Sequence, residues 1–197
     1  QEAIKDFMRI YKETKHKPSY EHDHFDKFCK KLLQNAYFQD HNAFVLPVFN
    51  CFLYAMVINT YSGLSGAKEN PIEMTVVGEG AWEHCQFSNF ANIRFAGNVG
   101  YSCGLGSSNS RIVFERDADM KNAAKLDNCD VYFFGDVGQN CGWNSNNSRF
   151  YSNKIETLEK ILGDNLDIMR EAPEFQMKNC SFYLIEEDGS HKEVYFQ

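Results

Sequence analysis

The chain has little of what usually announces a chemistry. Seven cysteines occur among 197 residues, and none forms a CxxC pair. An odd, dispersed set of this kind excludes a disulfide framework and reads as reduced and cytoplasmic. Basic residues are nowhere concentrated. The formal net charge is −7, and the one basic cluster, Lys27, Lys30 and Lys31, is diluted by Asp26 on an expected helix. A nucleic-acid footprint needs a basic patch, so nucleic-acid binding is excluded. No apolar run reaches the ~20 residues of a membrane span. The most apolar stretch, residues 44–58, contains Pro47 and Asn50 and reads as buried core. The opening segment QEAIKDFMRIYKE is charged and helical, unlike a secretory leader. Alanine and proline are scarce, while aromatic and Asn residues are plentiful, which leans toward β structure with many turns.

The strongest signal present is a repeat. Residues 97–111 read GNVGYSCGLGSSNSR and residues 135–149 read GDVGQNCGWNSNNSR, identical at nine of fifteen positions with an offset of 38. Half of that offset is the unit. Residues 74–149 align without a gap in rows of 19 that start at Met74, Ile93, Ile112 and Val131, and Phe150 opens a fifth. The first column (Met74, Ile93, Ile112, Val131, Phe150) and the third (Val76, Phe95, Phe114, Phe133) are apolar throughout. The second (Thr75, Arg94, Val113, Tyr132, Tyr151) suits an outward face. Period-two alternation inside a longer fixed period predicts a solenoid with one strand per coil, its coils about 4.8 Å apart. Other columns agree. Asn109, Asn128 and Asn147 suit sharp corners, because Asn tolerates left-handed backbone and stacked amides can bond between coils. Ala91, Ser110, Cys129 and Ser148 are small, and Arg111, Asp130 and Arg149 alternate in sign as an exposed ladder of low energetic weight.

Helical spacing flanks the repeat. Ile4, Phe7, Met8 and Tyr11, then Phe25, Phe28, Cys29, Leu32 and Leu33, mark helices, and Pro47 can open a third. After Tyr151 the register breaks. Ile155, Leu158, Leu162, Leu166 and Met169 predict one apolar helix face over about residues 153–170. Residues 179–184 then echo residues 128–133, and Asp188-Gly189 predicts a hairpin pairing residues 182–186 with 193–196. The predicted fold is mainly β: a single-stranded parallel β-helix of 19-residue coils over residues 67–197, with a helical insertion and a C-terminal hairpin, preceded by a helical region at residues 1–66. The helical region and the hairpin are expected to close the two ends of the stack.

The spacing Gly97-x-x-Gly100-x-x-x-Gly104, repeated at Gly135-x-x-Gly138-x-x-x-Gly142, resembles the GxxGxxxG repeat of a right-handed parallel β-helix family. That family includes the C-terminal domain of the glutamate synthase large subunit and one of the subunits of formylmethanofuran dehydrogenase. The resemblance covers about residues 74–152. It implies a spacer and packing surface without catalytic residues of its own. The pattern is broken in row 112–130, where Arg116, Asp119 and Ala123 occupy the glycine columns, and row 74–92 keeps only Gly78. An irregular cross-section is expected in those coils.

Candidate chemistry is sparse. Cys103 and Cys141 share a column with Asn122 between them, so at about 9–10 Å they are too far apart for a disulfide. Cys129 and Cys180 share another pattern and could oxidise if their coils were adjacent. Residues 21–26 (EHDHFD) are rich in metal-ligand types but spaced better as an acidic first turn. Glu83-His84-Cys85 pairs a nucleophile with a base in sequence, yet neighbours on a strand face opposite ways. Glu79, Asn98, Asp117 and Asp136 form a column that could hold a cation or serve as turn residues.

These readings predict a non-enzymatic structural or protein-interaction module with protein partners or self-association, and no cofactor or metal. The glycine-rich segments match neither G-x-G-x-x-G nor a P-loop, and are better explained by backbone geometry. The alternative is an enzyme acting on carbohydrate from an exposed solenoid face. Arg94, Arg111 and Glu115 are its loose candidates, and no paired carboxylates are evident.

Overall fold

The computed structural model describes residues 71–76, 85–172 and 176–195. The helices expected within residues 1–66, the acidic cluster at 21–26, and Gly78, Glu79, Glu83 and His84 lie outside the described residues. The described chain is a β-solenoid. Strands β1 (Ile72–Val76), β2 (Ala91–Phe95), β3 (Arg111–Phe114), β4 (Asp130–Phe133), β5 (Arg149–Ser152), β6 (Ser181–Ile185) and β7 (His191–Val194) form one seven-stranded sheet in chain order. Neighbours are parallel except β6 and β7. From β1 to β5 the partners Met74, Ile93, Ile112, Val131 and Phe150 keep the 19-residue register, giving four coils.

A coil of 19 residues must turn sharply to close. It does so through left-handed residues aligned in columns. Ser102, Lys121 and Asn140 have φ of 58°, 57° and 59°. Cys85, Gly104, Ala123 and Gly142 have 56°, 70°, 49° and 70°. Phe87, Gly106, Lys125 and Asn144 form a third column. Asn109, Asn128, Asn147 and Asn179, at 47°, 54°, 51° and 54°, follow Phe90 in a fourth. The coil of residues 112–130 is therefore not irregular. Ala123 accepts the backbone of its glycine neighbours, at a cost of about 1–2 kcal/mol for a left-handed L-residue, and the register passes through unchanged.

The core runs down the inside of the stack. Phe95, Phe114 and Phe133 stack with ring centroids 5.0 and 4.9 Å apart, nearly coplanar in orientation. Val99, Ala118 and Val137 are also buried, on the next short parallel bridge around the coil. Each buried Phe contributes roughly 1.5–3 kcal/mol, and identical rings in register keep the coils aligned.

Between β5 and β6 the register advances from Arg149 to Ser181, 32 residues, because helix α1 (Ile155–Glu171) replaces the turns of the fifth coil. Its buried face is Thr157, Leu158, Ile161 and Asn165. The expected face holds at Leu158 and Leu162, which join or pack against the core, and is corrected at Leu166, which is 41% exposed. The reason is polar. Asn165 Nδ2 donates to the Ile161 carbonyl (2.6 Å) and the Cys141 carbonyl (3.3 Å), so an amide faces the solenoid where the apolar pattern suggests Leu166. Asp164 accepts from the Asn140 N–H at 3.1 Å, and the Thr157 hydroxyl donates to the Gly135 carbonyl at 3.4 Å.

Leu158 and Ile161 join the core, so α1 covers it at this end. The hairpin mainly prolongs the sheet. Its register runs from Phe182↔Val194 to Ile185↔His191, and it turns at Gly189 with φ 81°.

Candidate interaction surface

The glycines and asparagines of the repeat do backbone work of two kinds. Gly104 and Gly142 sit at left-handed corners. A Cβ at Gly142 would lie 2.9 Å from the Phe150 ring and 3.2 Å from Ile161. Gly135 and Gly138 have no left-handed φ. Instead, a Cβ there would fall 2.4 Å from the Arg116 backbone and 2.6 Å from that of Asp119. Gly97 is buried, and the half-buried Gly100 offers its carbonyl to Asn122 Nδ2 at 2.7 Å. At the asparagine corner, Asn128 donates to Asn109 (2.8 Å) and Asn179 to Asn147 (3.2 Å). Asn147 bonds instead to Asp127 at 2.9 Å, so the amide ladder is interrupted there.

Polar side chains elsewhere are likewise spent between coils. The Asn98 Oδ1 accepts from the Asp117 N–H (3.1 Å), and Asp117 Oδ1 from the Asp136 N–H (2.9 Å). Asp136 meets Lys154 at 2.7 Å. This column bonds to the backbone of the next coil, and no group of metal-ligand residues gathers among the described residues. The Ser110 hydroxyl accepts from the Ala91 N–H at 3.1 Å and donates to the Ser108 carbonyl at 2.6 Å; Ser148 repeats this with Cys129 and Asn146.

Ser148 also separates Cys129 from Cys180. With the insertion folded out as α1, these cysteines lie two coils apart, about 9–10 Å on strand spacing, so they do not approach as adjacent coils would allow. None of the five described cysteines forms a disulfide. Burial pushes the Cys129 and Cys141 thiols up to about 12, which favours their neutral form at neutral pH. Cys85 is buried at a left-handed corner.

Among the described residues, the candidate for an external function is the outward face of the sheet. Tyr132, Tyr151 and Tyr183 stack with centroids 4.4 and 5.0 Å apart, and the His191 ring tilts against Tyr151 at 4.9 Å. This outward column is more buried than its solvent side suggests: Val113 is 7% and Tyr151 6% exposed. Burial pushes the Tyr151 hydroxyl up to about 12. Beside the tyrosines, Arg94 pairs with Glu115. Arg149 grips Asp130 with both fork nitrogens, at 2.5 and 2.7 Å, which raises its pKa further. The expected sign-alternating ladder is thus only half used. Arg111 lies over the Tyr132 ring, its guanidinium carbon 4.5 Å from the centroid. Phe134 adds a ring that is 38% exposed. The stacked tyrosines could have been inferred from the second column of the repeat, whereas the choice of Asp130 by Arg149 over Arg111 has no sequence signal.

Fold and surface define a β-solenoid with one structured aromatic face. Compared with protein-family models, with curated proteins and with solved structures, the chain matches none. No helix among the described residues is long and apolar enough to cross a membrane.

Proposed function

We propose that the chain is a non-enzymatic scaffold and protein-interaction module, which presents the outward face of its sheet to a protein partner in the cytoplasm. The observation that carries this reading is the register-locked row in which the buried Tyr151 holds the half-buried Tyr132 and Tyr183, with the exposed Arg94, Arg111 and Arg149 on the same face. Tyrosine and arginine are the residues that dominate binding energy at interfaces, and here stacking has already fixed them, so little entropy is lost on docking. Kinship with the GxxGxxxG β-helix family belongs to the same reading, since the implied role there is a packing surface. The test is affinity capture with the intact chain against a variant carrying Tyr183→Ser and Arg149→Ser. Specific partners that bind only the parent support the module. No specific partner, together with turnover in a small-molecule screen, sinks it.

A second reading, a carbohydrate-acting face, draws on the same outward tyrosines. Their rings face one another at 4.4 and 5.0 Å, which leaves edges, not faces, for a sugar to stack on. Glycan binding that disappears in Tyr132→Ala would favour it.

A further inference from the structure

We infer that the partner of this face contributes a carboxylate side chain, which docks on Arg111. This rests on the interaction reading above and adds the chemistry of the contact. Three arginines line the outward face, and two are occupied: Arg94 by Glu115, and Arg149 by both oxygens of Asp130. Arg111 is the third. It is exposed, and its guanidinium is held over the Tyr132 ring at 4.5 Å. No carboxylate of the described residues forms an ion pair with it.

The column explains why. Arg111, Asp130 and Arg149 are register partners on β3, β4 and β5, so Asp130 lies between two guanidinium groups. It is committed to Arg149, and that leaves the exposed Arg111 with hydrogen-bond donors that meet no carboxylate of the described residues. Stacking on Tyr132 fixes the fork without using those donors, which is the preorganised state that favours bidentate recognition.

The anion is taken as a carboxylate because the interaction reading above is of a protein partner, whose unmodified anionic side chains are carboxylates. Asp130 occupies the position directly across from Arg111. Asp130 offsets one of the two guanidinium charges in the column, so Arg111, Asp130 and Arg149 together keep a net positive charge for an anion. Tyr132 and Phe134 supply ring surface beside the fork, so the acidic residue is flanked by apolar ones in an extended segment. A partner protein with an acidic, aromatic-tolerant strand or loop meets both requirements.

The experiment uses the full chain, isotope-labelled for nuclear magnetic resonance. Two probes are titrated separately: a synthetic peptide with a glutamate between apolar residues, and the same peptide with glutamine in its place. The Glu peptide is expected to shift the Arg111 side-chain and Tyr132 ring signals, with the Gln peptide roughly tenfold to a hundredfold weaker. Arg111→Gln, checked for unchanged circular dichroism, abolishes the difference between the peptides. Arg111→Lys, which keeps the charge and loses the fork, restores only part of it. Equal binding of both peptides, or shifts that persist in Arg111→Gln, overturns the inference. A phosphopeptide that outcompetes the Glu peptide at Arg111 also overturns it. If captured partners lose the face in Tyr183→Ser/Arg149→Ser but bind Arg111→Gln normally, the interaction reading stands and the Arg111 assignment falls.

Discussion

Asn122 is the residue whose removal tests the packing logic most directly. It is fully buried, in the column whose neighbours one coil away on either side are Cys103 and Cys141. Its Oδ1 accepts from the Cys103 N–H at 2.7 Å, while Nδ2 donates to the Gly100 carbonyl at 2.7 Å and to the Asp119 carbonyl at 2.9 Å. One amide therefore satisfies backbone groups in two coils. Asn122→Ala removes the acceptor of Cys103 and the donor to Gly100. Asp119 keeps the Cys141 thiol as a donor at 3.0 Å. Two buried backbone groups losing their partners, at about 1–3 kcal/mol each, with a small cavity added, gives a loss of about 3–5 kcal/mol. For a chain of this size that is a Tm lower by about 6–20 °C. Urea unfolding followed by circular dichroism measures it. Asn122→Asp sharpens the test. A carboxylate can still accept from Cys103 but must be protonated to donate to Gly100, so its folded pKa is raised. Its stability is then greatest at acid pH and falls as pH rises through that folded value. A loss below about 1 kcal/mol for Asn122→Ala would refute the reasoning, because it would mean that water or a backbone shift replaces all three bonds at little cost.

Gly142→Ala is expected to cost about 2–4 kcal/mol, from left-handed strain and contact with Phe150 and Ile161 less a small unfolded-state gain. Ala123→Gly, in the same column, relieves strain but loses a buried methyl and adds chain entropy, and should stay within about 0.5 kcal/mol of the parent. Denaturant midpoints of the two variants decide both. Among the described cysteines, the half-buried Cys180 should react with a thiol reagent first, and Cys85, Cys103, Cys129 and Cys141 only on unfolding; mass-spectrometric mapping that finds Cys141 labelled before Cys180 contradicts the burial of its column. Tyr151 ionises near 12 in the folded chain against an ordinary 10, so its neutral form is favoured by folding. Its contribution is complete below pH 10 and disappears as pH rises through 12, and Tyr151→Phe should flatten the alkaline loss of stability seen in thermal melts.

The coil was legible because its period is written in side chains. Ile93, Ile112, Val131 and Phe150 recur at 19 residues, and they are register partners in the sheet. The strand after the insertion was legible for the same reason, since Phe182 and Tyr183 continue the columns of Phe150 and Tyr151. The burial face of α1 was not legible, because Leu166 and Asn165 are adjacent and only the position of the Cys141 carbonyl decides which turns inward. The four left-handed columns were only partly legible. Gly104 and Asn109 advertise such a backbone, but Phe87, Ser102, Lys121 and Lys125 do not, and the ring closure imposes it on them. On the candidate surface, the outward column was readable as outward. Its stacking into a buried row, and the pairing that leaves Arg111 open, depend on ring and fork geometry that residue types alone do not specify.

The 38-residue identity now has a physical origin, and it yields a last prediction. If every coil were equivalent, the sequence would repeat at 19, yet the glycines repeat at twice that. At Gly135 and Gly138 a Cβ would strike the backbone of Arg116 and Asp119 in the preceding coil, at 2.4 and 2.6 Å. Arg116 in turn follows Gly97 in its column, and Asp119 follows Gly100. Across the coils of residues 93–149, glycine and non-glycine thus alternate at these two positions, whereas Gly78 and Gly97 are consecutive in the first of them. Inserting a second copy of residues 93–130 after Asp130 preserves that alternation, and the longer chain should melt cooperatively at or above the parent Tm, since nearest-neighbour coil contacts are added. Inserting a second copy of residues 112–130 alone places Arg116 against Arg116 and Asp119 against Asp119. Backbone atoms cannot yield as a flexible side chain does, so that insertion should separate the coils at the corner and melt lower and less cooperatively. Equal stability of the two insertions would show that the alternation reflects duplication history and not the contact at Gly135.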